Sequence, residues 1–294
     1  MLREIRDLGF EYAELSHGIR VSLVPGIISA VEQGVVKIST LHNFCPLPMG
    51  VNHPAPNLFK FSATDKRERD LAWKHSLKTL ETAERLGAKL VVLHSGEANL
   101  AGFFGDPNYQ DKLEALAAVG QQDTPKYRKI MADLEQRRES RKEQPMMLSM
   151  DFIRRLADVA ADKKLLLGIE NREAVEEIPF DHDMPFFLSQ LPPNVRYWHD
   201  CGHAQIKEHL GFLDHRMHLE TLSERLAGLH VHDVVVTPEG AHDHAPPGAG
   251  VIRYDALKPF VRADHIKVLE LNPGVAPEDV ARGYEHIRSV WGPE

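Results

Sequence analysis

The chain has 294 residues, of which 43% are hydrophobic and 27% charged, enough to bury a full core of its own. Lys and Arg number 35 against 43 Asp and Glu, a net charge of -8, and a surface of that sign disfavours a partner with a phosphate backbone. Two isolated cysteines, Cys45 and Cys201, do not make a disulfide framework and fit a reduced, cytoplasmic setting.

The opening MLREIRDLGFEYAEL lacks a basic region followed by an apolar run, so no secretory signal is read there. No apolar stretch approaches the roughly 18 residues of a membrane helix. The first predicted element is a helix, LREIRDLG, with Leu2, Ile5 and Leu8 on one side. Seven strand-like runs follow: residues 10–16, 35–44, 89–96, 165–173, 196–203, 226–234 and 266–273. Amphipathic helices separate them, including ERDLAWKHSLKTLETAERLG with its Gly87 stop and the patterns at 148–163 and 277–290. Alternation of this kind predicts a parallel sheet flanked by helices. We read one domain over 1–294, a TIM (β/α)8-type barrel that lacks the first strand. Either the chain starts inside a longer one, or the barrel closes with seven strands or with help from elsewhere.

The segment 97–147 is far longer than an ordinary connection and is read as a helical insertion. Its charged run KYRKIMADLEQRRESRKEQ is expected to be a solvated helix, and the whole insertion could serve as a lid or a subunit contact. A homo-oligomer is left open.

In a parallel barrel the catalytic groups stand at the C-terminal ends of different strands. Polar residues fall there in succession: His42, His94, Glu170, Asp200 with His203, His230 with His232, and Glu270. Asp200 and His203 are three apart and converge only if the strand ends between them, a turn for which Gly202 is suited. A buried ionised carboxylate needs a partner or a metal. Glu170, Asp200, His230 and Glu270 supply three carboxylates and an imidazole, a set suited to Zn²⁺, Mn²⁺ or Mg²⁺. The stretch HDHAPPGAG at 242–250 is read as a turn from which His242 and His244 reach inward. His232 and His199 are read as core histidines and Cys201 as a small buried thiol. Trp198, Phe103 and Phe104 are candidate walls of a sugar site, with core packing as the alternative.

In the order ELSHG, LHSGE, IENRE, DCGH, LHVHD, HAPPGAG and LELNP, the motifs resemble the xylose isomerase-like TIM-barrel superfamily from about residue 2 to 290. That superfamily holds sugar isomerases and epimerases and the type IV apurinic endonucleases. The resemblance implies Glu170, Asp200, His230 and Glu270 as shared metal ligands. In its endonuclease-like branch, positions matching His42, His94, His203 and His244 bind further zinc ions. His242 stands where that branch has an aspartate, which leaves the third metal position open.

The leading expectation is a metal-dependent isomerase or epimerase of a sugar, sugar phosphate or hydroxy-ketone. Proton transfer would run through an enediolate, with Glu170 and Glu270 as general acid and base. His203 and Trp198 would contact the small-molecule substrate, and one ion is expected, with two or three as the alternative. A multinuclear zinc hydrolase or lyase of the apurinic-endonuclease type is the second expectation, and a barrel that binds metal or sugar without turnover is the third.

Overall fold

A computed structural model describes residues 1–102 and 107–292, so Phe103 and Phe104 lie outside the described residues. Among the described residues, nine strands are formed: β1 (Tyr12–Leu15), β2 (Lys37–His42), β3 (Leu90–Leu93), β4 (Leu166–Glu170), β5 (Val195–Asp200), β6 (Leu226–Val231), β7 (Asp233–Thr237), β8 (Gly240–Ala245) and β9 (Ile266–Leu269). Seven of them make one sheet in the order β1-β2-β3-β4-β5-β6-β9, each at one of the seven expected runs. The order follows the chain, as in a TIM barrel one strand short of eight. β7 and β8 form a separate antiparallel hairpin. The expected turn is present at its prolines and glycines, residues 246–250, where the Ala249 N–H donates to the Pro246 carbonyl at 3.0 Å, but it does not extend over 242–245. Residues 242–245 continue a strand, because Val235, Val236 and Thr237 offer a partner ladder and Gly240, at φ 136°, closes the connection.

The helices are α1 (Leu2–Asp7), α2 (Val24–Glu32), α3 (Lys66–Leu86), α4 (Tyr109–Ala117), α5 (Pro125–Arg141), α6 (Glu143–Asp162), α7 (Met184–Ser189), α8 (Cys201–His209), α9 (His215–Leu222), α10 (Tyr254–Leu257) and α11 (Pro277–Trp291). Among the described residues, no helix is long and apolar enough to cross a membrane.

The chain divides into two compact units. The first comprises residues 1–96, 145–170 and 186–197. Its strand β3, Leu-Val-Val-Leu, is buried at every position, as expected of a parallel strand covered on both faces. α3 is capped by the Asp65 carboxylate, which accepts from the Arg67 N–H at 2.8 Å, and ends at Gly87 in the left-handed conformation. It turns Ala72, Leu80, Ala83 and Leu86 inward. Phe152 of α6 stacks on Phe61 at 4.1 Å and meets the edge of Trp73 at 5.6 Å, while the Ser149 hydroxyl donates to the Ser95 carbonyl just beyond β3.

The second unit comprises residues 97–144, 171–185 and 198–294. It contains the insertion, whose helices α4 and α5 pack within this unit. The charged run is not wholly solvated, because Arg138 of α5 is buried. Its Nε donates to the Val175 carbonyl at 2.7 Å, and its guanidinium lies over the rings of Phe180 (4.5 Å) and Phe212 (4.7 Å). Tyr127 donates to the Leu210 carbonyl at 2.8 Å and ties the same helix to the end of α8.

Candidate metal and catalytic site

In the first unit, three strand ends bring ligand-type side chains together. His42 closes β2, Glu170 closes β4, and His94 directly follows β3. All three are buried, and one atom of each lies within 4.8 Å of the others. The Glu170 Oε2 is 2.9 Å from His94 Nε2 and 3.7 Å from His42 Nε2. The remaining nitrogens face acceptors: His94 Nδ1 is 3.1 Å from Asn57 Oδ1, and His42 Nδ1 is 3.3 Å from Glu14 Oε1. A neutral imidazole carries one proton, so these partners favour Nδ1–H on both rings and leave both Nε2 lone pairs toward one carboxylate oxygen. That donor set fits a divalent cation. Without a cation a proton substitutes: burial opposes charging His42, but Glu14 and Glu170 outweigh it and raise its pKa to about 9.

In the second unit, Asp200 ends β5 and caps α8, its Oδ1 accepting the His203 N–H at 2.7 Å. The strand ends between Asp200 and His203 as expected, but it passes directly into a helix that begins at Cys201, not through a turn made by Gly202. Glycine is needed at 202 for space, because a Cβ there would lie 2.1 Å from His232 Cε1. Asn171 pins the backbone of Asp200, with Asn171 Nδ2 donating to its carbonyl at 3.0 Å and Oδ1 accepting its N–H at 2.8 Å. The Asp200 carboxylate is fully buried, which would raise its pKa, but His203, His232 and His230 hold it well below the usual range.

His230 Nδ1 stands between two carboxylates, 3.1 Å from Glu270 Oε2 and 3.6 Å from Asp200 Oδ2. Its ring is met edge-on by Trp198 at 5.0 Å. Trp198 itself has no exposed surface and packs over Gly228, so of its two expected roles, substrate wall or core packing, its burial supports the second, and it backs His230. His232 accepts the His244 N–H at Nδ1 (2.8 Å), which places its proton on Nε2, 3.0 Å from Asp200 Oδ2. Both of its nitrogens are thereby engaged, and it orients Asp200.

A further group in this unit joins His203, Glu173 and Asp243, one atom of each within 4.8 Å of the others. His203 Nδ1 is 3.0 Å from the Asn171 carbonyl, which directs Nε2 toward Asp243. Burial raises the Glu173 pKa. Asp243 also meets His244 Nδ1 at 2.8 Å; burial works against charge on His244, but Asp243 prevails and raises its pKa to about 9. His242 is exposed on β8 and joins none of these groups, its neighbour Asp243 being the inward carboxylate. Glu14, Glu173, Asp243 and the orienting role of His232 were missed by the sequence reading. The acidic residues do lie within the quoted motifs ELSHG, IENRE and HDHAPPGAG, which was the available signal.

Residues 2–290 match the family described as the xylose isomerase-like TIM barrel, and the chain belongs to that family. No functionally curated protein matches its sequence. Among solved structures it is similar to the 3-keto-D-glucoside 4-epimerase YcjR of E. coli, at 16% identity and a TM-score of 0.65, covering 98% of this chain and 92% of that one. It is similar to the D-psicose 3-epimerase of Clostridium cellulolyticum H10 solved with D-tagatose, at 13% identity and a TM-score of 0.64, covering 99% and 93%. A third is the IolI protein with a bound zinc atom, at 14% identity and a TM-score of 0.66, covering 99% and 91%. At these identities the likeness establishes the fold.

Proposed function

We propose that the chain is a divalent-metal-dependent isomerase or epimerase of a sugar or related hydroxy-ketone. The observation that carries this reading is His230 Nδ1 set between the carboxylates of Asp200 and Glu270 at strand ends of a family whose structural neighbours include sugar epimerases. In this reading Glu170 completes the ligand set with Asp200, His230 and Glu270, for Zn²⁺, Mn²⁺ or Mg²⁺. The zinc in IolI supports a divalent cation in such a barrel. When bound, the cation supplies Lewis acidity to a substrate carbonyl and its adjacent hydroxyl.

The chain's own residues do the rest. Glu170 and Glu270 exchange the proton on the carbon beside the carbonyl, one removing it and the other returning it. His203, anchored through Nδ1, offers Nε2 to a substrate hydroxyl. Hydrogen-isotope exchange from solvent into the C3 position of ketohexoses tests the reaction. Exchange should appear with wild type plus metal and vanish in Glu170→Gln with metal still bound; exchange at the wild-type rate in that variant sinks the assignment.

A second reading, a multinuclear zinc hydrolase, is favoured by one specific observation: His42, His94, His203, Glu173 and Asp243 are more ligand-type groups than one ion needs. Metals per chain separate the two. One ion supports the epimerase, while two or three ions together with cleavage of abasic DNA support the hydrolase.

A further inference from the structure

The carboxylate of Glu14 has a place in the first unit that neither reading uses. β1 pairs with β2 in parallel register, Ala13 opposite Ile38, but the register then shifts and Glu14 stands opposite Thr40. Such irregularities re-aim a side chain. Here the result is a carboxylate whose side chain is 6% exposed, on a strand otherwise carrying apolar groups inward. Its Oε2 accepts the Thr40 hydroxyl at 2.5 Å, and its Oε1 faces His42 Nδ1 at 3.3 Å. Thr40 has no exposed surface, so this arm is fixed. An ionised carboxylate enclosed in this way is costly unless it is matched by donors.

We propose that Glu14 is a positioning residue: it accepts the Nδ1–H of His42 and so commits the Nε2 lone pair of His42 to a divalent cation shared with His94 and Glu170. The inference rests on the reading that His42 is a metal ligand. A histidine free to take either tautomer presents a lone pair at Nε2 only part of the time. A carboxylate behind the ring removes that ambiguity and makes the imidazole a better donor. His94 shows the same device in a neutral form, with Asn57 as the acceptor behind its ring. The pair of devices gives both histidines the same presentation to Glu170.

The test uses the full chain, stripped with chelator and titrated with Zn²⁺ against a competing indicator, for wild type, His42→Ala, Glu14→Ala and Glu14→Gln. The ion weakened by His42→Ala should be weakened by about 10–100-fold in Glu14→Ala, the usual effect of losing a ligand's hydrogen-bond partner. Glu14→Gln keeps an acceptor oxygen and should recover most of the affinity, and it guards against a poorly folded alanine variant. Long-range proton–nitrogen spectra of the loaded protein should show His42 protonated at Nδ1 in wild type and Glu14→Gln. If no ion is weakened by His42→Ala, the ligand reading fails and Glu14 loses its role with it. If an ion is weakened by His42→Ala but not by Glu14→Ala, or if His42 is protonated at Nε2, the role of Glu14 alone is overturned.

Discussion

The imidazole of His232 occupies the space that a side chain at residue 202 would need, with Cε1 2.1 Å from the Cβ position of Gly202. Because His232 also donates to Asp200 and accepts from the His244 backbone, it cannot retreat without breaking both contacts. Gly202→Ala should therefore destabilise the protein by about 1–3 kcal/mol, the usual effect of overpacking. The same substitution should weaken metal binding. Urea unfolding and a Zn²⁺ titration on one preparation would check both, and unchanged stability would contradict the close contact.

His232→Ala removes the donor to the Asp200 carboxylate and leaves the ring's space empty. Metal affinity should fall by about 10–100-fold, as for other hydrogen-bond partners of ligands. His232→Gln, which can still donate to Asp200, should lose less. An equal loss in both variants would mean that packing, and not the hydrogen bond, is what Asp200 requires.

His215 supplies a pH dependence that involves no assigned ligand. It is buried, and burial first, then the nearby His218, lowers its pKa from 6.5 to about 3. Its Nε2 is 2.9 Å from His199 Nε2, and its Nδ1 is 3.3 Å from Gln205 Oε1. Between about 3 and 6.5 the unfolded chain binds a proton at this residue and the folded chain does not. Stability must then rise with pH across that window and be lost as pH falls through it, by about 1.4 kcal/mol per unit. In urea unfolding at pH 7.5 and 5.5, His215→Gln should reduce the wild-type loss by about 1 kcal/mol. Parallel slopes in the two proteins would show that His215 is charged in the folded state.

Arg138→Ala should cost about 3 kcal/mol. It leaves the Val175 carbonyl without its donor and removes the cation from between Phe180 and Phe212. The first visible effect should be faster proteolysis within 97–144, ahead of global unfolding. Arg138→Lys keeps the charge but not the planar group and should recover only part of the loss.

Much of the sheet was legible because apolar strands covered on both faces read as short apolar runs, and all seven runs became strands. His42, Glu170, Asp200, His230 and Glu270 were legible for a related reason: a polar residue is conspicuous when it ends such a run. The hairpin β7–β8 was obscured because its second strand, GAHDHA, is half-exposed and carries little apolar pattern. Asp243 was overlooked in favour of His242 for want of that register, since only strand pairing decides which neighbour faces inward. Glu14 was invisible as a partner of His42 because the shift between Ala13 and Glu14 has no signature in composition. Gly202 was correctly noticed but for the wrong constraint: a close approach by a residue thirty positions away cannot be read from local spacing.

Asp233, the first residue of β7, accepts the N–H groups of Val234 (2.9 Å) and Ile252 (3.0 Å) on one oxygen and that of Gly248 (2.9 Å) on the other. One carboxylate therefore bolts the stretch 246–252 to the strand that follows His232. Because that carboxylate has no exposed surface and holds three backbone N–H groups at once, the stretch cannot lift from the start of β7 without stranding a buried charge.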